Sequence, residues 1–88
     1  MYTLPTIHLN GTGAASLHQE YSKAWQALVN ARGALVEATC NARDFYPQSD
    51  HAFTDARFER SEAFAKLEDV IDYVEAWIEH INDHKPNQ

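Results

Sequence analysis

Seven side chains with the chemistry to bind a phosphorylated ligand lie close together near the middle of the sequence. Guanidinium groups bind phosphate or carboxylate through paired hydrogen bonds, aromatic rings stack on bases, and amides recognise base edges. Gathered at the tip of a helical hairpin, such groups would suit a small, phosphorylated molecule that contains a base. The candidates are Arg43, Phe45, Tyr46, Gln48, His51, Arg57 and Arg60.

Two interpretations of this group stay open. In the first, the arginines bind an anion, assisted by the exposed N–H groups and the dipole at the start of the second predicted helix. In the second, nearby carboxylates neutralise the same arginines in ordinary surface ion pairs. Those carboxylates belong to Asp44, Asp50, Asp55 and Glu59.

A second polar group lies near the start of the chain, in the segment TLPTIHLNGTG. His8, Asn10 and Thr12 could complete a ligand pocket if this segment folds across the hairpin tip of a neighbouring copy, where Gly11 would permit close backbone contact. The alternative is that the group forms only a turn and a helix cap.

Catalytic and metal-binding patterns are weak. His80 and His84 have the i, i+4 spacing of metal ligands but no evident third ligand. Cys40 has no histidine or asparagine partner that the sequence identifies, and the chain lacks a glycine-rich phosphate loop and a nucleophile elbow. We therefore predict a protein that is not an enzyme, with no catalytic residue, metal or cofactor.

The element that must position these residues is a long amphipathic helix. Between Phe53 and Ile81, residues spaced by three and four form one continuous stripe, with a parallel row at intervals of seven beside it. Both are apolar except for Arg60 on the stripe and Arg57 on the parallel row, which lie together at the N-terminal end of the helix. Asp50 or Ser49 is expected to cap this helix.

A second stripe, from Leu17 to Ala38, predicts another long helix, capped by Thr12 or by Ser16 with Gln19. Gly33 inside it marks a tight crossing, a ligand that approaches the backbone, or a tolerated weak point. The sequence thus predicts one all-α domain: an N-terminal arm (1–12), helix one (13–41), a turn (42–49), helix two (50–83) and a tail (84–88).

Two helices of this length must fold back as an antiparallel hairpin. Two helices alone cannot cover such broad apolar faces, so we expect a homo-oligomeric helix bundle, a dimer or larger. Large side chains would otherwise stay partly exposed: Trp25, Val29, Phe64, Ile71, Trp77 and Ile78.

The composition limits the possible partners and location. A net charge of -6 argues against binding to long nucleic acid, and acidic residues dominate the end of helix two. The chain has a single cysteine, no transmembrane segment and no secretory signal at Met1 to Asn10, so we expect a cytoplasmic protein.

Three segments resemble a group of small helical-hairpin proteins of tailed bacteriophages: TIHLNGT (6–12), LHQEY (17–21) and RDFYPQSD (43–50). In size and architecture the chain also resembles the phage sponge proteins that counter CBASS and Thoeris immunity. Those proteins are helical oligomers that sequester cyclic nucleotides or ADP-ribose-type signals without cleaving them. The resemblance implies a viral anti-defence protein of the host cytoplasm that binds a nucleotide signal.

The resulting hypothesis gives each candidate residue a role. Arg57 and Arg60 would bind phosphate with help from Arg43, Tyr46 or Phe45 would stack on a base, and His8 with Asn10 would complete the lid. The alternative is a phage adaptor or inhibitor that acts by contact with a host protein, through its acidic end or exposed aromatic residues. Ligand identity, subunit number and exchange of the arm between subunits stay open at this point.

Overall fold

The computed structural model describes residues 1–84 and consists of two long helices that pack side by side. Helix α1 spans Ala14–Glu37, a short 3-10 helix spans Ala42–Phe45, and helix α2 spans Ala52–Asp83. The described residues contain no strand, so the predicted all-α helical hairpin is confirmed. Arg32 contacts Glu68 and Arg60 contacts Leu35, which shows that the helices run antiparallel.

The hairpin is a rod of 62 × 23 × 17 Å, with a radius of gyration of 19.0 Å. A compact domain of this length would have a radius of gyration of about 12 Å. The elongated shape follows from the length of the helices, because a 32-residue helix extends about 48 Å at 1.5 Å per residue. The chain therefore has much more surface relative to its volume than a globular domain.

Both helices differ from the prediction at their ends. Helix α1 stops at Glu37, because Ala38 already has an extended backbone with ψ 131°, so the predicted end near residue 41 is wrong. The N-cap residues are Gly13 and His51, and neither cap makes a side-chain hydrogen bond. The predicted side-chain caps are therefore wrong too: Thr12 or Ser16 for α1, Asp50 or Ser49 for α2. The predicted tail lies, apart from residue 84, outside the described residues.

The buried core is small and lies toward the chain termini. Ala14, Ile71, Val74 and Ile81 are the fully buried hydrophobic residues among those described. Ile71 was expected to stay partly exposed, and its burial corrects that expectation. The other five large residues named with it are half-buried: Trp25, Val29, Phe64, Trp77 and Ile78.

The N-terminal arm, residues 1–12, packs against α2 of its own chain. The ring of Tyr2 meets that of Tyr73 edge to face, with centroids 5.2 Å apart. Nε2 of His80 donates a hydrogen bond of 2.6 Å to the carbonyl oxygen of Pro5. The arm thus forms a third layer over the C-terminal half of α2.

Aromatic stacking ties the helices together beneath this arm. Tyr21 of α1 stacks on Trp77 of α2, with the centroids 4.5 Å apart and the rings nearly parallel. Burial raises the pKa of Tyr21, and the neighbouring Tyr73 and Glu20 raise it further. A neutral phenol at this position is therefore favoured by the fold.

Polar contacts fix the register along the middle of the rod. The indole N–H of Trp25 donates to a carboxylate oxygen of Glu75 at 2.9 Å. Nη1 of Arg32 donates to Glu68 at 2.8 Å, in a pair that is partly exposed to solvent. Over residues 1–84, neither helix has a stretch long and apolar enough to cross a membrane.

Candidate functional site

An open cleft of about 750 Å³ lies beside the bend of the hairpin, and we call it the bend cleft. One wall is the end of α1 with the segment that follows it, residues 36–41, and the other is the N-terminal part of α2. The cleft lies where α1 stops at Glu37 and the chain continues with an extended backbone at Ala38. The α2 wall consists of Thr54, Arg57, Phe58, Arg60, Ser61 and Phe64.

In the bend cleft, Arg57 is the cationic residue that is available to bind an anion. It is exposed, and its guanidinium carbon lies 5.6 Å from the centroid of the Phe53 ring. This ring packs in turn against Phe45 of the 3-10 helix, at 6.1 Å between centroids. A cation placed over an aromatic face is held by the ring quadrupole without being neutralised. Arg57 is thereby positioned with its charge intact.

Arg60 shares the cleft but bonds to the protein itself. Its Nη2 donates to the carbonyl oxygens of Leu35, at 2.8 Å, and Val36, at 3.1 Å. These carbonyls belong to the last turn of α1, where the helix dipole is negative and carbonyl groups lack helical partners. The guanidinium group also lies 5.2 Å from the Phe64 ring. Arg60 thus caps α1 and offsets negative potential that would repel an anion.

The carboxylates that were considered as partners of these arginines do not pair with them. Within residues 1–84, the ion pair found is Arg32 with Glu68, at the middle of the rod. Asp44, Asp50, Asp55 and Glu59 therefore form no ion pair with Arg43, Arg57 or Arg60 in the described structure. Glu37 is the acidic residue on the wall of the bend cleft.

The other candidates at the bend do not line the cleft. Phe45 is half-buried, and its ring packs at a tilt of 41° against Phe53 and does not line the cleft. Tyr46 is 88% exposed and projects from the bend. The remaining three are exposed and lie outside the cleft lining: Arg43, Gln48 and His51.

The second predicted group lies at the opposite end of the rod. Asn10 donates its backbone N–H to Nδ1 of His8 at 3.3 Å, and the Gly11 N–H bonds to the His8 carbonyl. A Cβ atom on Gly11 would come within 2.9 Å of Nε2 of His8, so the exposed His8 ring would have to move slightly to admit a larger residue there. In this chain His8, Asn10 and Thr12 thus form a turn before α1, far from the bend.

Sequence reasoning missed several polar groups of the bend cleft. Thr54, Arg57 and Ser61 follow one another at intervals of three and four on α2, which places them on one face. Asn41 contributes an amide from the opposite wall, beside the half-buried thiol of Cys40. The spacing of three and four residues between these hydroxyl and guanidinium groups was the sequence feature that could have identified them. Among residues 1–84, the site therefore offers one cation without an ion-pair partner, the hydroxyls of Thr39, Thr54 and Ser61, and an amide, with Phe58 at its edge.

The histidines at the end of α2 bond to backbone carbonyls. Nε2 of His80 donates to Pro5, and Nδ1 of His84 donates to the carbonyl of His80 at 2.9 Å. Their rings lie 4.2 Å apart. Throughout residues 1–84, no three His, Cys, Asp or Glu side chains are grouped so that they could hold a metal ion.

Comparisons of this chain with protein-family models, with curated proteins and with solved structures found no match.

Proposed function

We propose that this protein is a non-catalytic homo-oligomer that binds a nucleotide-derived signal molecule in the bend cleft and withholds it from a host defence enzyme. The ligand class is a cyclic dinucleotide or an ADP-ribose-type molecule, and the expected site of action is the cytoplasm of a phage-infected cell. The observation that carries the proposal is that Arg57 lies in this cleft with no carboxylate paired to it among residues 1–84.

The size and chemistry of the cleft support a nucleotide-sized ligand. Its volume of about 750 Å³ falls within the range of about 300–1,000 Å³ that is common for small-molecule sites. Arg57 would bind a phosphate group, and the hydroxyls of Thr54 and Ser61 would donate further hydrogen bonds to it. The Phe58 ring, exposed at the edge, offers a stacking surface for a base.

The excess surface of the chain supports self-association. The accessible surface is 6933 Å², whereas a compact monomer of 10.0 kDa would expose about 5,200 Å². A typical specific interface buries about 800 Å² on each partner. The difference of roughly 1,700 Å² therefore leaves room for one or two such interfaces on each chain. The bacteriophage context comes from the resemblance of the segments 6–12, 17–21 and 43–50 to small phage helical hairpins.

Thermal unfolding with added ligand tests this proposal. ADP-ribose and a cyclic dinucleotide are added separately to wild type, to Arg57→Ala and to Arg43→Ala, with adenosine as the probe that lacks phosphate. We expect one of the phosphorylated ligands to raise the melting temperature of wild type and of Arg43→Ala, because a ligand that binds only the folded state stabilises it. Arg57→Ala should lose the shift, and adenosine should produce none.

Two results would contradict the proposal. One is that neither phosphorylated ligand shifts the wild type at millimolar concentration. The other is that Arg57→Ala and wild type respond alike. Chromatography of the recovered ligand checks the non-catalytic part, because a sequestering protein should release the ligand chemically unchanged.

Exposed apolar side chains at the bend favour a second candidate, a phage adaptor that contacts a host protein. Val36 is 61% exposed, Phe58 66% and Tyr46 88%. Large apolar groups at the centre of a surface are typical of protein-binding sites. An adaptor should show no ligand-dependent stabilisation, and Phe58→Ser should abolish its binding to the host protein.

A further inference from the structure

Two clefts open on the same side of the hairpin. The second cleft, of about 470 Å³, lies between Trp25 of α1 and the C-terminal part of α2, and we call it the acidic cleft. Its α2 residues continue the row of the bend cleft at intervals of three, four and seven, so both sets share one face of the helix. The shared row is Arg57, Ser61, Phe64, Glu68, Glu75, Glu79 and Asn82.

The charges along this row reverse from one end to the other. Arg57 lies in the bend cleft, whereas Glu75, Glu79 and Asp83 line the acidic cleft. The ion pair between Arg32 and Glu68 lies between them. The rod therefore presents a cationic end and an acidic end on one side, separated by a locally neutral centre.

The sequence spacing makes this pattern self-complementary. Arg57 lies eleven residues before Glu68, and Glu79 lies eleven residues after it. Each is therefore about 16 Å from the centre along the helix axis. Phe58 and Ile78 also lie at equal distances from Glu68 along the helix axis, ten residues before it and ten residues after it. A second copy that runs antiparallel over Glu68 would thus bring unlike charges together at both ends.

We propose that a second copy of this chain packs antiparallel on the side that carries the two clefts, about a two-fold axis beside Glu68. In this dimer Arg57 of each copy meets Glu79 of the other copy. Phe58, exposed on one copy, lies at the same level along the rod as Ile78 and the acidic cleft of the other copy. A two-fold interface contains each of these contacts twice, since the same patch serves both subunits.

The surface of the hairpin can supply such an interface. The accessible surface of the chain is larger than that of a compact monomer by roughly 1,700 Å². A standard interface buries about 800 Å² on each partner, which is less than this difference. Phe58 provides the apolar anchor, and the paired charges set the register and disfavour a parallel arrangement. A parallel arrangement would place Glu79 against Glu79 and Arg57 against Arg57.

This inference rests on the self-association part of the proposed function and shares Arg57 with its ligand site. Because a guanidinium group that pairs with Glu79 is less available to phosphate, ligand binding and this dimer should oppose each other. A phosphate-bearing ligand should therefore shift the equilibrium toward separate chains, so that this dimer is the ligand-free form of the homo-oligomer in the proposed function and its chains separate as they take up the signal.

Sedimentation velocity on a charge-swap series tests the register. The series is wild type, Arg57→Glu, Glu79→Arg and the double variant Arg57→Glu/Glu79→Arg, at equal concentrations and low salt. We expect a dimer for wild type, a dimer dissociation constant that is about tenfold higher or more for each single variant, and recovery of the dimer in the double variant. Raised salt should weaken the wild-type dimer, because its charges are partly solvated.

Phe58→Ser and Val70→Ser form the matched apolar pair. Both residues are exposed apolar positions on α2, but Phe58 lines the bend cleft whereas Val70 lines neither cleft. Phe58→Ser should weaken the dimer and Val70→Ser should not. Monomeric wild type, single variants that assemble like wild type, or a double variant without recovery would each overturn the proposed dimer.

The same variants separate this inference from the ligand site. Glu79→Arg leaves every residue of the bend cleft in place, so it should keep the thermal shift with ADP-ribose or the cyclic dinucleotide. The double variant should recover the dimer without recovering the shift. Sedimentation could give the expected pattern of dimers and separate chains while no ligand raises the melting temperature of any variant. That result would contradict the proposed ligand site and support the proposed dimer.

Discussion

The half of the hairpin that carries the chain termini has three layers, whereas the half that carries the bend has two. In the terminal half, residues 1–25 and 68–84, the arm lies over α2 and all four fully buried hydrophobic residues are found. In the bend half, residues 26–67, no residue is fully buried and a cleft stays open. Buried packing and the larger of the two clefts therefore lie in different halves of the rod, because each layer added for packing covers surface that could bind. The smaller acidic cleft lies in the terminal half, on the part of its surface that the arm leaves open.

The largest expected difference between the halves concerns their apolar side chains. Ile81 is fully buried beneath the arm. Its replacement by alanine should therefore lower the free energy of unfolding by about 2–4 kcal/mol. Val36→Ala in the bend half should cost less than about 0.5 kcal/mol. Urea denaturation at one fixed protein concentration measures both. Similar costs for the two variants would contradict the separation of the halves.

The two arginines of the bend cleft should differ in stability. Arg60→Ala removes the donor to the Leu35 and Val36 carbonyls and should cost about 1–2 kcal/mol. Arg57→Ala, at an exposed position, should change stability by no more than about 0.5 kcal/mol while it abolishes ligand binding. Amide exchange in the last turn of α1 should speed up only in the Arg60 variant. Equal exchange in both variants would remove the capping role.

The smallest expected effect is a gain in stability in the bend half. Open space surrounds the position where Gly33 would carry a Cβ atom, so neither a tight crossing nor a close contact explains this glycine. Gly33→Ala should therefore stabilise the protein by about 0.5–1 kcal/mol. Gly13→Ala is the control, since Gly13 is equally open but caps α1, where alanine is the poorer residue. A loss of stability in Gly33→Ala would show that the position has a role in binding or assembly.

The fold was largely predictable because both helices carry long, regular stripes. Helix α2 begins within two residues of its predicted start and ends at the predicted residue. The end of α1 was not predictable from local pattern, since Ala38 continues the stripe and no glycine or proline follows closely. Its position coincides with the carbonyl bonds to Arg60, which is 25 residues away from Leu35 in sequence. The arm depends on a contact between residues 75 apart, His80 and Pro5, which periodicity cannot reveal.

The site was predictable in part. The sequence placed Arg57 and Arg60 near a bend, and both line the bend cleft. Their different roles could not be read from it, because they depend on which guanidinium group reaches the carbonyls of the other helix. Phe45 was assigned to stacking on a base, yet the fold packs it against Phe53. Tyr46 and Gln48 are adjacent to the cleft in sequence, yet both are exposed and lie outside its lining.

Amide hydrogen exchange on the wild type, with and without ADP-ribose or the cyclic dinucleotide, tests the division of the rod most directly. We predict that the amides of residues 36–41 and 54–64 exchange faster than those of residues 71–81 in the free protein. We also predict that the ligand that binds slows amide exchange at residues 36–41 and 54–64 and leaves exchange at residues 71–81 unchanged. Uniform exchange along both helices, or slowing confined to the terminal half, would contradict it.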